Sequence, residues 1–259
     1  MKKLTALVLA ALMICVMIAG CNSAKTNKYN TLEAGKLIMS TNAAFPPYEM
    51  TDDNGDYIGI DVEIAKAIAD KLELELAIEN MGFTAALEAA QEGKSDMVMA
   101  GVTVTDDRLL VMDFSDSYAT GIQVVIVTED SEITSIDDLE GKMIGTQMGT
   151  TGYIYASDTP ENGGYGEDMV IPYDNGISAV MALKNGQVDA VIIDNAPAKE
   201  FVKNNPGLKI LDGEWVTENY AIGFAKGNTE LIDAVNSALA ELIADGTVQK
   251  IVDKYISAE

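Results

Sequence analysis

The sequence predicts an α/β fold in which helices cover a sheet. From residue 36 onward, short β-rich runs alternate with amphipathic segments of helical periodicity. The composition, with 48% apolar and 22% charged residues in a chain of 259, is that of a globular protein. Behind the N-terminal segment, about 225 residues remain, which is enough for one large domain or two lobes of about 100 residues each.

The N-terminal segment has the pattern of a secretory signal peptide. Two lysines precede an apolar run over residues 4–18, which is short for crossing about 30 Å of hydrocarbon. The run ends in Ile-Ala-Gly-Cys at residues 18–21, which resembles a bacterial lipobox. We therefore expect residues 1–20 to be removed and Cys21 to carry two acyl chains, which anchor a protein stably where a single chain does not.

Residues 21–35 are predicted to be the lipidated cysteine and a flexible polar tether. Cys15 leaves with the signal peptide, so the mature chain keeps one cysteine and forms no intrachain disulfide. The predicted location is extracytoplasmic, with the folded part lipid-anchored to the cell membrane.

The first elements of the folded part follow in order. The apolar run at residues 37–39 predicts a strand. Asn-Gly at residues 54–55, between two extended runs, predicts a tight hairpin. Apolar residues at helical spacing from Ile60 predict an amphipathic helix, and the alternation over residues 72–78 predicts the strand after it.

The same alternation continues to the C-terminus. Further strands are predicted near residues 97–100, 124–127, 143–145 and 188–193. Further helices are predicted near residues 84–91 and 153–156, from residue 196, and over residues 229–243 and 248–255.

Charge and composition exclude several classes of function. The formal charge of −24 repels phosphate, so we expect no nucleic-acid partner. The absence of histidine removes the usual general base near neutral pH and His-ligated zinc. The acids within residues 52–63 match a calcium loop in part, but Tyr57 stands where that loop needs glycine. We expect no metal and no cofactor.

Two aromatic side chains follow predicted strands, at the carboxyl ends where open α/β sheets bind ligands. Phe45 belongs to the rigid Phe-Pro-Pro-Tyr loop after the first strand, and Phe83 lies between a strand and a helix. Each is either a ligand contact or an ordinary core residue.

Residues 101–108 are a candidate carboxylate site. Gly101 and Thr103 follow a predicted strand, and Arg108 is the only arginine of the chain. A guanidinium is planar and binds a carboxylate through two parallel hydrogen bonds. The alternative is a surface arginine paired with Asp106 or Asp107.

The turn over residues 147–152, which contains Gln147 and Thr151, leads from a strand into a helix. Backbone N–H groups at a helix N-terminus suit an anion, and the turn lacks the lysine of a phosphate-binding loop, so a small carboxylate fits better. Asp194 ends a buried strand. It offers a negative charge to an ammonium group or caps the next helix.

Together these motifs resemble the extracellular solute-binding proteins of the polar amino acid class, the receptors of ABC uptake systems. The resemblance covers residues 36–256. It implies a two-lobe periplasmic-binding-protein-like type II fold that closes on its ligand, in the cleft between the lobes, by a hinge motion. It is carried by residues 41–49 (TNAAFPPYE), 59–65 (GIDVEIA), 100–105 (AGVTVT), 113–115 (DFS), 149–152 (GTTG) and 193–195 (IDN).

The resemblance also implies the lobes and the contacts of the ligand. Crossing segments near residues 118–122 and 216–220 would divide the chain into lobe 1, residues 36–122 and 216–259, and lobe 2, residues 123–215. The guanidinium would take the α-carboxylate of an amino acid and an aspartate its α-ammonium. The residues assigned to the ligand are Gly101, Thr103, Arg108 and Thr151 for the carboxylate, Asp194 for the ammonium, and Phe45 and Phe83 for the side chain.

Specificity depends on two amides. Asn42 stands where relatives that prefer cationic ligands often have an acid, and Gln147 where others have lysine. This favours a neutral polar amino acid such as glutamine or cystine. A cationic ligand stays open, because Glu49, Glu88 or another carboxylate could hold it.

The predicted function is an amino acid-binding receptor of an ABC uptake transporter, not an enzyme. It would capture one free amino acid per monomer and deliver it to a membrane permease. The alternative is an extracytoplasmic enzyme of the cyclic acid dehydratase kind on the same scaffold. Its general acid or base would be Glu49, Glu88 or a lysine near the cleft.

Overall fold

The structure is a computed structural model that describes residues 27–256. The predicted signal peptide and Cys21 lie outside these residues. Within them, no helix is both long enough and apolar enough to cross a membrane.

Strands and helices alternate along the chain. The strands are β1 (Lys36–Thr41), β2 (Ala44–Phe45), β3 (Glu49–Thr51), β4 (Tyr57–Ile58), β5 (Glu75–Asn80), β6 (Met97–Val98), β7 (Met112–Thr128), β8 (Ile144–Gln147), β9 (Val170–Tyr173), β10 (Ala190–Asp194), β11 (Leu208–Ile210) and β12 (Val216–Ala225). The α-helices are α1 (Ile60–Lys71), α2 (Phe83–Gln91), α3 (Asp106–Val111), α4 (Thr151–Ser157), α5 (Gly176–Lys184), α6 (Asn195–Asn204), α7 (Thr229–Ala244) and α8 (Thr247–Tyr255).

Nine strands form one mixed sheet in the order β5-β1-β6-β12-β7-β10-β8-β9, with β11 paired to β7. Strand β1 is parallel to β5 and β6, and β8 is parallel to β9 and β10. Strands β7 and β12 run antiparallel to each other. A small second sheet contains β2, β3 and β4.

The long strands β7 and β12 connect the two ends of this sheet. The start of β7 pairs with the end of β12, next to β6, and residues 123–126 of β7 pair with β10. One group of parallel strands therefore lies on each side of the β7–β12 ribbon, which is the two-lobe α/β arrangement that the sequence predicts. The lobe boundaries at residues 122 and 216 stay a prediction.

Apolar periodicity explains how the helices pack. In α7, apolar side chains recur every three or four residues and face the core, so one stripe of the helix is buried. The buried residues of α7 are Leu231, Val235, Ala238, Leu239 and Leu242. Helix α1 has acids in its first turn and Lys71 in its last, which complements the helix dipole.

Most predicted elements are confirmed, and the differences have physical reasons. The Asn54 turn joins β3 to β4, and the Asp52 side chain accepts hydrogen bonds from the N–H groups of Asn54 (2.8 Å) and Asp56 (2.9 Å). Strand β7 has 17 residues instead of the predicted four. Its first part was not recognised because exposed polar residues, Asp116 and Ser117 among them, interrupt the apolar run.

Gly59 is a position that only glycine can occupy. Its φ of 130° and ψ of 177° lie in a region that other residues avoid. A Cβ at this position would lie 2.2 Å from the carbonyl oxygen of Tyr48. Because Gly59 has no side chain, the start of α1 packs closely against the segment between Phe45 and Glu49, where the Ile60 and Asp61 N–H groups donate to backbone carbonyls.

Gly59→Ala should lower the free energy of unfolding by about 3 kcal/mol, because the substitution adds backbone strain to a steric clash. The control is Gly55→Ala in the hairpin turn, where φ is also positive at 89° but no atom lies within 4 Å of the added Cβ. The free energy of unfolding should fall by only about 1 kcal/mol in the control. Urea denaturation measures both variants, and equal losses would contradict this account of Gly59.

Candidate functional site

A cavity with an empty volume of about 330 Å³ lies between the two groups of parallel strands. All nine residues that the sequence analysis predicts to contact the ligand line this cavity. The lining residues are Asn42, Phe45, Glu49, Phe83, Ala100, Gly101, Thr103, Arg108, Gln147, Thr150, Thr151 and Asp194.

The topology explains this convergence. Asn42 follows β1, Phe83 follows β5 and Gly101 follows β6, and these three strands are parallel neighbours. Across the cavity, Gln147 ends β8 and Asp194 ends β10, which are also parallel. Because the carboxyl ends of parallel strands meet at one edge of a sheet, the two edges face each other across the cavity.

Arg108 is a cavity residue and not a surface residue. Its side chain is 9% exposed, whereas Asp106 and Asp107 are exposed, and no carboxylate of residues 27–256 forms an ion pair with it. Its Nη1 donates to the Thr103 carbonyl (2.8 Å) and its Nη2 to the Gly149 carbonyl (3.0 Å). Burial lowers the pKa of Arg108.

The guanidinium also lies 5.6 Å from the centroid of the Phe83 ring, within the range of a cation–π contact. The Phe45 side chain is only 8% exposed, and its ring stacks on that of Tyr48. Both phenylalanines are thus buried and in contact with the cavity at the same time.

Asp194 stands at the N-cap position of α6, but its side chain makes no capping hydrogen bond. Instead, it accepts hydrogen bonds from the Tyr220 hydroxyl and from Gln123 Nε2 (2.8 Å). Gly121 allows this geometry, because a Cβ there would lie 2.4 Å from the Tyr220 ring. Burial raises the pKa of Asp194 to about 7, although the Tyr220 hydroxyl partly offsets the effect.

Hydrogen bonds join the two sides of the cavity. Gln147 Nε2 donates to Asn42 Oδ1 (3.0 Å), and Asn42 Nδ2 donates to the Met81 carbonyl (2.8 Å). The Arg108 bond to Gly149 spans the same gap. The two predicted specificity amides therefore bond to each other and form one wall.

Glu49 lines the cavity, whereas Glu88 lies on the exposed face of α2. Glu49 is fully buried, and neither carboxyl oxygen accepts a hydrogen bond from an amide, amine or alcohol of residues 27–256. Its polar neighbour is the carboxyl of Asp61, which accepts from the Gly101 N–H (2.9 Å). Burial and then the charge of Asp61 raise the pKa of Glu49 well above its ordinary value.

Glu218 was missed by the sequence reasoning. It is 5% exposed on β12, between the exposed residues Thr217 and Asn219. Its Oε2 accepts hydrogen bonds from Thr103 Oγ1 (3.2 Å), Thr151 Oγ1 (2.9 Å) and Gln123 Nε2 (3.0 Å). The one available signal was the alternation of side chains along the strand. It places Glu218 on the same inward face as Tyr220, where an acid is unusual.

The two-lobed fold and a small polar cavity with one guanidinium and several carboxylates define a class of solute-binding proteins. The sequence pattern of the bacterial extracellular solute-binding proteins, family 3, matches residues 37–258, and the chain belongs to this family.

Three relatives illustrate the similarity. Arginine-binding extracellular protein ArtP of Bacillus subtilis (strain 168) is 33% identical over 264 residues, with 100% of both chains covered. The arginine-, lysine-, histidine-binding protein ArtJ from Geobacillus stearothermophilus has a TM-score of 0.80 and 35% identity, over 86% of this chain and 96% of that one. An ancestral arginine-binding protein bound to glutamine has a TM-score of 0.80 and 39% identity, over 87% and 100%.

The chain is therefore an amino acid-binding receptor of an ABC uptake transporter, and it acts outside the cytoplasm. Four of its relatives, two of them described above, are named as binding proteins and not as enzymes, so the dehydratase alternative is not supported.

The ligand-free protein should become more stable as the pH falls from 8 to 5. The folded state keeps the Asp194 proton up to a pKa of about 7, whereas an unfolded aspartate loses it near pH 4. The folded state then binds more protons in this window, so its free energy of unfolding rises on acidification. For Asp194 alone the gain is about 3 kcal/mol.

Urea denaturation of protein that has been unfolded and refolded to remove ligand measures this gain at each pH. Asp194→Asn should reduce the pH dependence by about 3 kcal/mol, because asparagine does not titrate. Asp233→Asn, at an exposed position of α7, is the matched control and should leave it unchanged. An equal pH dependence in the wild type and Asp194→Asn would contradict the role of Asp194.

Proposed function

We propose that the cavity binds an L-α-amino acid with a cationic side chain, with L-arginine as the first candidate. The carrying observation is the excess of buried carboxyl groups over buried cations, which protons or a cationic ligand must compensate. Four carboxyls, those of Glu49, Asp61, Asp194 and Glu218, are buried in or beside a cavity that holds one guanidinium. A zwitterion adds no net charge to this set, whereas a cationic amino acid adds one positive charge.

The α-carboxylate of the ligand would bind Arg108. The guanidinium is buried and already oriented by two carbonyls, and it matches a carboxylate better than lysine does. Thr151 begins α4, so its backbone N–H has no partner within the helix and is available to the same carboxylate. Thr103 would contribute its backbone N–H from the other side of the cavity. Gly101 would line this part of the cavity without binding the carboxylate, because its N–H donates to Asp61.

The α-ammonium would bind Asp194. Tyr220 and Gln123 hold this carboxylate in place, and it lines the cavity. A cationic partner would replace the proton that burial favours on Asp194, which makes the ion pair worth more than one at the surface.

The ligand side chain would lie between Phe45 and Phe83 and end near Glu49. An aromatic pair accommodates the flat guanidinium by stacking, and the carboxyl of Glu49 lacks a donor partner in residues 27–256. All three relatives described above bear names that include arginine binding, which supports the same ligand class.

A neutral amide ligand, L-glutamine, is the second candidate. The amides of Asn42 and Gln147, on which the sequence prediction of a neutral ligand was based, line the cavity. A related ancestral arginine-binding protein was solved with glutamine bound. A protonated Glu49 would donate a hydrogen bond to such a ligand.

Binding of L-arginine should be lost in Arg108→Ala and weakened at least about tenfold in Glu49→Gln, because an ion pair with the ligand side chain is removed. Glu88→Gln is the control, since Glu88 is exposed and outside the cavity. Thermal shift and calorimetry of refolded protein measure these changes, and ligand at about 100 times its Kd should add about 2.7 kcal/mol of stability.

Unchanged affinity of Glu49→Gln for L-arginine would contradict the assignment of Glu49. A wild type that binds L-glutamine or L-cystine but not L-arginine would support the neutral candidate instead. Retained binding in Arg108→Ala would contradict the carboxylate site itself.

Lobe 1 in this proposal contains residues 36–122 and 216–259, and lobe 2 contains residues 123–215. A monomer anchored through acyl chains on Cys21 would bind one ligand, close, and dock on its membrane permease. The Ile-Ala-Gly-Cys sequence at residues 18–21 supports the anchor.

Cys21→Ser in the full-length chain should shift the protein from the membrane fraction to the soluble fraction, because the thiol that carries the lipid is lost. Fractionation followed by immunoblotting measures the shift. Cys15→Ser is the control, since Cys15 lies within the predicted signal peptide. Membrane retention of Cys21→Ser would contradict the anchor.

A further inference from the structure

Glu218 receives hydrogen bonds from three separate parts of the fold. Thr103 follows β6 on one side of the cavity, Thr151 begins α4 on the other side, and Gln123 belongs to the crossing strand β7. Glu218 itself is not among the residues that line the cavity. It thus contacts residues that line the cavity without lining the cavity itself.

Three neutral donors bond Oε2 of this carboxylate, and the charge of Arg108 interacts with it without a direct ion pair. No ion pair in residues 27–256 includes Glu218, and the guanidinium of Arg108 is bonded to carbonyl oxygens. A buried carboxylate is stable only when hydrogen-bond donors compensate for the lost water. Since Thr103 and Thr151 lie on opposite sides of the cavity, Oε2 of Glu218 keeps both hydroxyl donors only when the cleft is closed.

The hydroxyl protons of Thr103 and Thr151 are already used in hydrogen bonds. A threonine hydroxyl carries one proton, and in both residues it is donated to Glu218. Each hydroxyl therefore has only lone pairs left, and lone pairs do not bind a carboxylate. The hydroxyls of Thr103 and Thr151 then act on Glu218 and not on the ligand.

We propose that Glu218 is a positioning residue that retains the ligand by holding Thr103 and Thr151 together across the closed cleft. This inference rests on the proposed function. The hydrogen bonds form after the ligand has entered, so Glu218 slows dissociation and leaves association nearly unchanged.

Glu218→Gln tests this role, because the amide keeps the shape and removes the charge. We expect bound, radiolabelled L-arginine to dissociate about tenfold faster, since hydrogen bonds to a charged acceptor are stronger than those to a neutral one. Association should change by less than about twofold. The control is Glu214→Gln, which makes the same charge change at an exposed position just before β12.

A double-mutant cycle with Thr151→Val separates the two possible roles of the Thr151 hydroxyl. If the hydroxyl acts through Glu218, Thr151→Val accelerates dissociation about tenfold in the wild type and causes no further change in Glu218→Gln. A further tenfold acceleration in Glu218→Gln would mean that the hydroxyl binds the ligand directly, which overturns the inference. The Thr151→Val variant also provides the test if Glu218→Gln does not fold.

The outcomes distinguish this inference from the proposed function. Equal dissociation rates in the wild type, Glu218→Gln and Glu214→Gln overturn the inference alone, with the receptor function intact. L-Glutamine replaces L-arginine as the probe if the wild type binds it instead. A wild type that binds neither, nor L-cystine, overturns the proposed ligand class and this inference with it.

Discussion

The antiparallel pairing of β7 with β12 is the constraint on which the rest of the structure depends. Its ladder extends from Met112 and Ala225 at one end to Gln123 and Val216 at the other. Because β6 joins one end and β10 the other, the strands of both lobes are attached to a single ribbon. The inward-facing side chains of the ribbon, those of Glu218 and Tyr220 among them, are therefore buried where the lobes meet, whereas the neighbouring Thr217 and Asn219 are exposed.

The buried carboxyls make the cavity between the lobes sensitive to pH and to the charge of a bound ligand. Burial raises the pKa of Glu49 well above its ordinary value and that of Asp61 to about 6, so protons compensate part of the negative charge. The proposed cationic ligand would supply the same compensation without protons. Ligand binding, pH and stability would then be linked through one set of carboxyls.

Much of the fold and of the site could be predicted, because apolar runs mark the strands and the site residues lie at the ends of those strands. Phe83, Gln147 and Asp194 were recognisable since each follows or ends an apolar run, and parallel strands bring such positions together. Glu218 was harder to recognise, because an acid is expected to face water and only its alternation with Tyr220 places it on the inward face of the strand. The length of β7 was also hidden, since its polar residues interrupt the apolar pattern where the strand crosses between lobes.

The single arginine of the chain gives the receptor an unusual chemical property. Arg108 is the only guanidinium in the sequence, and it is 9% exposed in the closed cleft. A dicarbonyl reagent selective for arginine therefore has one possible target in the whole protein, and it reaches that target only when the lobes separate. The rate of labelling is consequently a measure of how often the cleft opens, obtained without introducing a probe.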